Sequence, residues 1–304
     1  MKDTLIFSLG SFGSKIILFF MVPLYTNYLT TEEYGTADLV FTVAQFLTPI
    51  MSVVIHDAII RYGLSKDFKR EDVLRVGYYI IGVDILVAIA LGPVVGLYKP
   101  LTQWKWYLSV YAVISIVDSI QFNYLKACGK NRLYAVLSVL KTACMASLNV
   151  LLLAIKHIGV RGYLLANILA LCLTDLLVFI FGKYASELKR SEHDSKLLKE
   201  MLWYSTPLIL NNISWWVIQS SDKVMIEYIL GPAMLGLYTV AAKIPALINV
   251  VISIFSQAWG ISSITEYEDS NDSTFYSTVQ RMYLFVVCAC LLYTSPSPRD
   301  GATS

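Results

Sequence analysis

Apolar stretches of twenty or more residues, separated by short charged segments, recur along this chain of 304 residues. About 20 residues of helix, rising ~1.5 Å each, are needed to cross the roughly 30 Å of hydrocarbon in a bilayer. The hydrocarbon holds no water for free backbone groups, so a continuous apolar stretch of this length has to close its own hydrogen bonds as a helix. Only 15% of the residues are charged, against about 25% in soluble domains. Glycine, serine and proline inside the stretches also suit a membrane bundle. The fold class this implies is all-α, a polytopic transmembrane helix bundle. Eight spans are expected near 5–29, 36–60, 76–98, 104–126, 133–156, 160–182, 203–230 and 234–262. A ninth begins near Val279 and stops at about Tyr293.

A net charge of +2 gives no reason to expect a nucleic-acid partner. The five cysteines, Cys128, Cys144, Cys172, Cys288 and Cys290, lie in or beside apolar spans without zinc-type spacing, so no metal and no disulfide framework is expected. The first apolar stretch is too long for a signal-peptide core and is read as a membrane helix. No GxxxxGK[ST], HExxH or GxSxG is present, and no cofactor or catalytic residue is expected. Orientation follows from lysine and arginine in the short loops. Lys2 and the loops after spans two, four and six carry fourteen basic residues, and the opposite loops carry four, Lys99, Lys105, Lys156 and Arg161. That places the N-terminus in the cytoplasm. The acidic segment after span eight (Glu266, Glu268, Asp269, Asp272) dissents locally.

Spans one and two overlie spans seven and eight at a constant offset of 201 residues: Tyr28-Leu29 on Ile229-Leu230, Gly35 on Gly236, Val40 on Ala241. Each copy is a long span, a very short turn and a second long span. The copies start an even number of spans apart and cross in the same direction, as parallel repeats do in two-lobed transporters.

Charged residues inside the spans cost about 2.5–3.5 kcal/mol each on insertion scales, so they face a cavity or a partner. They include Lys15, Asp38, Asp84, Asp118, Lys141, Asp175, Asp222, Lys223 and Lys243. In span two, Asp38, Thr42, Gln45, Pro49, Ser52 and His56 recur at helical spacing and form one stripe. In span seven, Asn212, Trp216, Gln219 and Lys223 form another, with Asn211, Trp215 and Asp222 beside it. Such stripes on several helices imply a hydrated interior path. Lys15, Lys141 and Lys243 are the residues expected in its cavity, with Arg61 at the cytoplasmic mouth; cations there suit an anionic substrate such as a diphosphate. Blander placements exist: Asp38 and Asp222 at the outer interface, Lys141 and Lys243 snorkelling, His56 as a packing residue, and Asp57 paired with Arg61 along the helix.

Two passages carry a family likeness. One is Pro23-Leu-Tyr-Thr-Asn-Tyr-Leu-Thr-Thr-Glu-Glu-Tyr-Gly35, with Ser14-Lys15 before it. The other runs from Pro207-Leu-Ile-Leu-Asn-Asn-Ile-Ser-Trp-Trp through Ser221-Asp-Lys-Val-Met-Ile to Leu230-Gly-Pro-Ala-Met-Leu-Gly-Leu-Tyr238, with Lys243 after it. Both resemble the polysaccharide biosynthesis proteins of the oligosaccharide flippase group, in the superfamily that includes the MATE drug exporters. The resemblance covers about 1–293. It implies a two-lobed MATE-like transporter with alternating access to a cationic cavity, and an undecaprenyl-diphosphate-linked oligosaccharide as substrate. It also implies a bacterial inner-membrane location beside the polymerase and glycosyltransferases of the same pathway. Ion coupling would fall to Asp38, Asp84, Asp118 or Asp175.

The expected division is an N-terminal six-helix lobe (1–182), a charged cytoplasmic linker (183–202), a truncated C-terminal lobe (203–293) and a non-native tail (294–304). The tail reads Thr-Ser-Pro-Ser-Pro-Arg-Asp-Gly-Ala-Thr-Ser and cannot continue a membrane helix. Two alternatives stay open. A MATE-like cation exporter would have acidic residues dominating its cavity. A membrane enzyme of the same pathway, such as a polymerase, would have a large outer loop, and the outer loops here are short.

Overall fold

The structure is a computed structural model, and it describes residues 17, 20–65, 67–191, 194–243, 281, 284, 285 and 288. Every regular element among them is helical. The chain runs as α1 (Val22–Tyr28), α2 (Thr31–Met51), α3 (Ile55–Leu64), α4 (Arg70–Val95), α5 (Lys105–Ala127), α6 (Asn131–Asn149), α7 (Val160–Phe181), α8 (Tyr184–Arg190), α9 (Ser195–Leu230) and α10 (Pro232–Ala241). A π-helical turn, Val150–Ile155, prolongs α6. Lys15, the first part of span one, the continuation of span eight and most of the ninth span lie outside the described residues. Two compact units divide the chain, residues 1–247 and 248–304. In the second unit the described residues, Arg281, Leu284, Phe285 and Cys288, are helical and exposed.

Four helices, α4, α5, α6 with its π turn, and α7, are long and apolar enough to span a membrane. The α2–α3 pair qualifies as a fifth, broken span, bent by 52°. The exposed side chains of α4 (Leu86, Ile89, Val94), α7 (Leu169, Leu173, Leu176, Ile180) and α9 (Trp203, Leu210, Ile218, Tyr228) are large and apolar. Water would not tolerate such continuous apolar faces, whereas lipid solvates them. The chain is a multi-pass membrane protein.

Local chemistry moves several boundaries away from those expected. The second span begins five residues before 36, because Thr30 and Glu33 close a capping box: the Thr30 hydroxyl accepts from the Glu33 amide at 3.2 Å, and the Glu33 carboxylate accepts from the Thr30 amide at 2.9 Å. The same span is broken near 52–54 rather than continuous to 60. Pro49 removes one helical donor. Thr48 and Ser52 then turn their hydroxyls back onto the carbonyls of Ala44 (2.9 Å) and Thr48 (2.8 Å), a pairing that bends helices. Val53 and Val54 adopt left-handed backbone angles, φ 51° and 54°, which are costly for β-branched residues. The charged segment 183–202 is helical too: it forms α8 and the first turns of α9, where the Asp194 carboxylate accepts from the Lys196 and Leu197 amides.

At the centre lies α2, packed against α5, α7, α9 and α10. Helix α5 in turn touches α3, α4, α6 and α7. The apolar core runs through these contacts, from Leu39 and Val40 to Ile55, Ile59, Leu74, Leu108, Ile116 and Ile120.

Candidate functional site

The two polar stripes meet. Helices α2 and α9 run antiparallel, so residues ascending in one oppose residues descending in the other. Nearest the turns that start α2 and α10, Lys223 Nζ lies 3.0 Å from Asp38 Oδ2. The Thr239 hydroxyl of α10 donates to the same oxygen, also at 3.0 Å. One turn further, the Trp216 indole N–H donates to the Thr42 carbonyl at 3.0 Å, and its ring packs on Phe46 with centroids 4.7 Å apart. Beyond that rung the stripes separate around a cavity of about 380 Å³. Gln45, Thr48, Pro49 and His56 line one side, Tyr111, Ser115, Asp118, Ser119 and Leu171 the other, with Asn212 between them. The break after α2 redirects α3, and the first turn of α3 places His56 in this wall.

Lys243, one helical turn past Thr239, shares the electrostatic environment of Asp38 and Lys223. Lys223 therefore pairs with Asp38 directly, and Lys243 stands within electrostatic range of that pair. Asp222 points elsewhere: its carboxylate accepts the Tyr238 hydroxyl and, at 2.9 Å, the Lys223 amide.

A second group sits among α5, α6 and α7. Lys141 Nζ contacts both oxygens of Asp118, at 2.8 and 2.9 Å, and lies 4.0 Å from the Phe122 ring centroid. Asp175 stands beside this pair; it is buried, and neither of its carboxylate oxygens meets a donor. Here one lysine serves two carboxylates, the reverse of the balance at the cap. Asp118 belongs to both the pair and the cavity wall.

The remaining expected residues scatter. Asp84 is fully buried in α4, away from both groups, with no hydrogen-bond partner for either oxygen. Gln219 is exposed. At the opposite end of the stripes, the Arg61 guanidinium lies over the Tyr204 ring, 4.3 Å from its centroid. Nearby the Tyr62 hydroxyl donates to the Glu200 carbonyl at 3.3 Å. His56 Nε2 lies 3.7 Å from Asp57 Oδ1. Sequence reasoning left out the α5 stripe. Tyr111, Ser115 and Asp118 recur at spacings of four and three, and the periodicity used for span two would have found them.

Comparison with known proteins gives the family and the fold. The sequence profile of the polysaccharide biosynthesis protein family matches residues 1–259. Two Haemophilus influenzae proteins are similar: one of the Lsg locus, 23% identical over 267 residues, and an uncharacterized membrane protein, 22% identical over 265. Each alignment covers 84% of this chain, which spans 64% and 63% of those relatives' lengths. Among solved structures, the MATE multidrug transporter DinF-BH superposes with a TM-score of 0.63 at 14% identity, over 84% of this chain and 62% of that one. A MOP superfamily transporter from Pyrococcus furiosus gives 0.55 at 16% identity, over 98% of this chain and 75% of that one. The fold is that of MATE transporters.

Proposed function

The chain belongs to the polysaccharide biosynthesis protein family, and we propose that it acts as a flippase of lipid-linked oligosaccharides. Its substrate would be an undecaprenyl-diphosphate-linked repeat unit, carried by alternating access across the bacterial inner membrane for O-antigen or capsule. The N-terminus would lie in the cytoplasm, and the two lobes would be 1–182 and 203–293. The observation that carries this reading is the polar cavity inside a membrane bundle, capped by the Asp38–Lys223 pair with Lys243 within electrostatic range of it. Lys243 brings a second cation near the Asp38–Lys223 pair in a medium of low dielectric, where a diphosphate is a fitting counter-charge. A fold and family of transporters favour this over a polymerase.

The second group suggests the coupling site. Lys141 balances only one of the two carboxylates, so a proton held between Asp118 and Asp175 would complete the charge balance. Of the four aspartates expected to couple ions, these two are the pair that share a site, and Asp118 opens it to the cavity.

The test is genetic and chemical. Deleting the gene should stop surface glycan display and leave the lipid-linked repeat unit on the cytoplasmic leaflet. Full-length protein should restore display, and Lys223→Met with Lys243→Met should not, at equal membrane abundance. Normal display in the deletion strain would sink the proposal. One observation favours a second reading, export of an organic cation: among the described residues, the cavity wall holds Asp118 and no lysine or arginine. Dye efflux that depends on Asp118, with glycan unaffected, would select it.

A further inference from the structure

The 201-residue repeat folds back on itself. Helices α2 and α10 begin at Thr31 and Pro232, positions separated by that offset, and they cross with symmetry-related residues in mutual contact. A Cβ on Gly35 would fall 1.8 Å from the Pro232 carbonyl oxygen and 2.8 Å from the Gly236 nitrogen. A Cβ on Gly236 would fall 1.9 Å from the Thr31 carbonyl oxygen and 3.2 Å from the Gly35 nitrogen. Gly35 thus touches the mate of Thr31, and Gly236 touches Thr31 itself. This reciprocity is the mark of a two-fold relation, with its axis between the glycines. One turn along, Asp38 accepts from its own mate, Thr239, 201 residues away. Small residues let the two backbones approach this closely, and at this end the helices cannot come nearer.

We infer that Asp38, Lys223 and Thr239 form a latch, seated on the Gly35–Gly236 crossing, that closes the cavity toward the turn end of the bundle. The inference rests on reading the chain as a transporter, since a cavity used from two sides must open there. A polar latch suits that task. An apolar seal would expose hydrocarbon to water on opening, whereas separated Asp38 and Lys223 regain hydration as they part, and the pair gains little over an apolar contact when closed. The same argument explains why the ion pair sits between elements of the two repeat copies instead of inside either one. At the other end α3 meets α9 through the Arg61–Tyr204 stack, the Tyr62–Tyr204 ring contact and the Tyr62 hydrogen bond.

Cysteine accessibility tests the latch without measuring transport. In full-length protein whose native cysteines are replaced, Asn212→Cys places a reporter in the cavity and Ser205→Cys one at a fully buried position of the same helix. A membrane-impermeant maleimide is applied to intact cells and to inside-out vesicles, which fixes which face carries the turns. With the latch intact, the position-212 reporter should label slowly from the turn side. Asp38→Asn or Lys223→Met should speed that labelling roughly tenfold, and the exchange Asp38→Lys with Lys223→Asp should restore slow labelling. The position-205 reporter should stay unlabelled throughout, which separates an opened latch from a loosened fold. Unchanged labelling in Asp38→Asn, or equal acceleration from both sides and at position 205, would overturn the inference. Because labelling needs no substrate, failure of the flippase reading would show separately in the glycan assay.

Discussion

Two aspartate–lysine groups lie inside the same bundle and are built on opposite principles. At the cap, Asp38 from α2 is held by Lys223 and Thr239 from the second repeat copy, with Lys243 nearby. In the other group, Asp118, Lys141 and Asp175 come from α5, α6 and α7, which lie outside both copies of the repeat. Among the described residues, the first group has a second lysine, Lys243, near its pair, and the other has a second carboxylate, Asp175, near its own. Each pair alone carries no net charge, though burying it still costs the hydration of both ions. The unpaired third member is what needs another charge, and its sign says which kind: an anion at the cap, a proton or small cation in the interior. The cap also rests on backbone contact across the repeat, while the interior group is held by side chains alone.

The largest effects should come from the backbone contact. Gly236→Leu puts side-chain carbon where the Thr31 carbonyl stands, so α2 and α10 must separate. Overpacking a tight site costs about 1–3 kcal/mol, and more where the obstacle is backbone. Thermal melting of the purified protein should show a large loss, and glycan display should vanish. Gly82→Ala in α4 is the comparator: nothing lies within 4 Å of its added Cβ, and alanine favours a helix by roughly 0.5–1 kcal/mol. Equal losses at both positions would remove the distinction between cap and lipid-facing helix.

The interior group should respond next. Lys141→Met strands Asp118 and Asp175 without a positive partner; the pair is only partly buried, so the loss should fall below the roughly 3–5 kcal/mol that breaking a fully buried pair costs. Adding Asp118→Leu should recover most of that in a denaturation series, because the stranded charge goes with it. No recovery would mean that Asp175, not Asp118, is the true partner of Lys141. Asp175→Asn should be milder still for stability, within about 1 kcal/mol, since it leaves a neutral Asp118–Lys141 pair. Its mark should be functional: display, or translocation in vesicles, should lose its dependence on the proton gradient. Full dependence retained in this variant would dismiss Asp175 as the proton carrier.

What the sequence made legible and what it hid follow from the range of each interaction. The stripes on α2 and α9 could be read because helical spacing is local, and the matched starts of α2 and α10 because the repeat preserves offset. Their mutual contact, Gly35 on Gly236 and Asp38 on Thr239, could not, since periodicity says which face is polar but not what the face meets. Lys141 was expected in the cavity as a free cation, and the structure pairs it with Asp118, 23 residues away on the neighbouring helix. The break near 52–54 depends on two valines in left-handed backbone, a conformation their residue type disfavours. Only Pro49 hinted at it.

The smallest expected effect separates charge from shape at the end opposite the latch. Arg61 is exposed, and its guanidinium lies close enough over Tyr204 to be a cation–π contact. Such contacts are worth about 0.5–1 kcal/mol at exposed sites. Lysine keeps the charge but loses the planar stack. If Arg61 serves as a cation at the mouth of the path, Arg61→Lys should leave glycan display intact and Tyr204→Leu should be silent. If it holds α3 against α9, both variants should weaken the fold by the same small amount, and combining them should add nothing further, as a double-mutant cycle would report. The second outcome would make the contrast with the cap sharper: a stacked contact that opens easily at one end, and a latch locked across the repeat at the other.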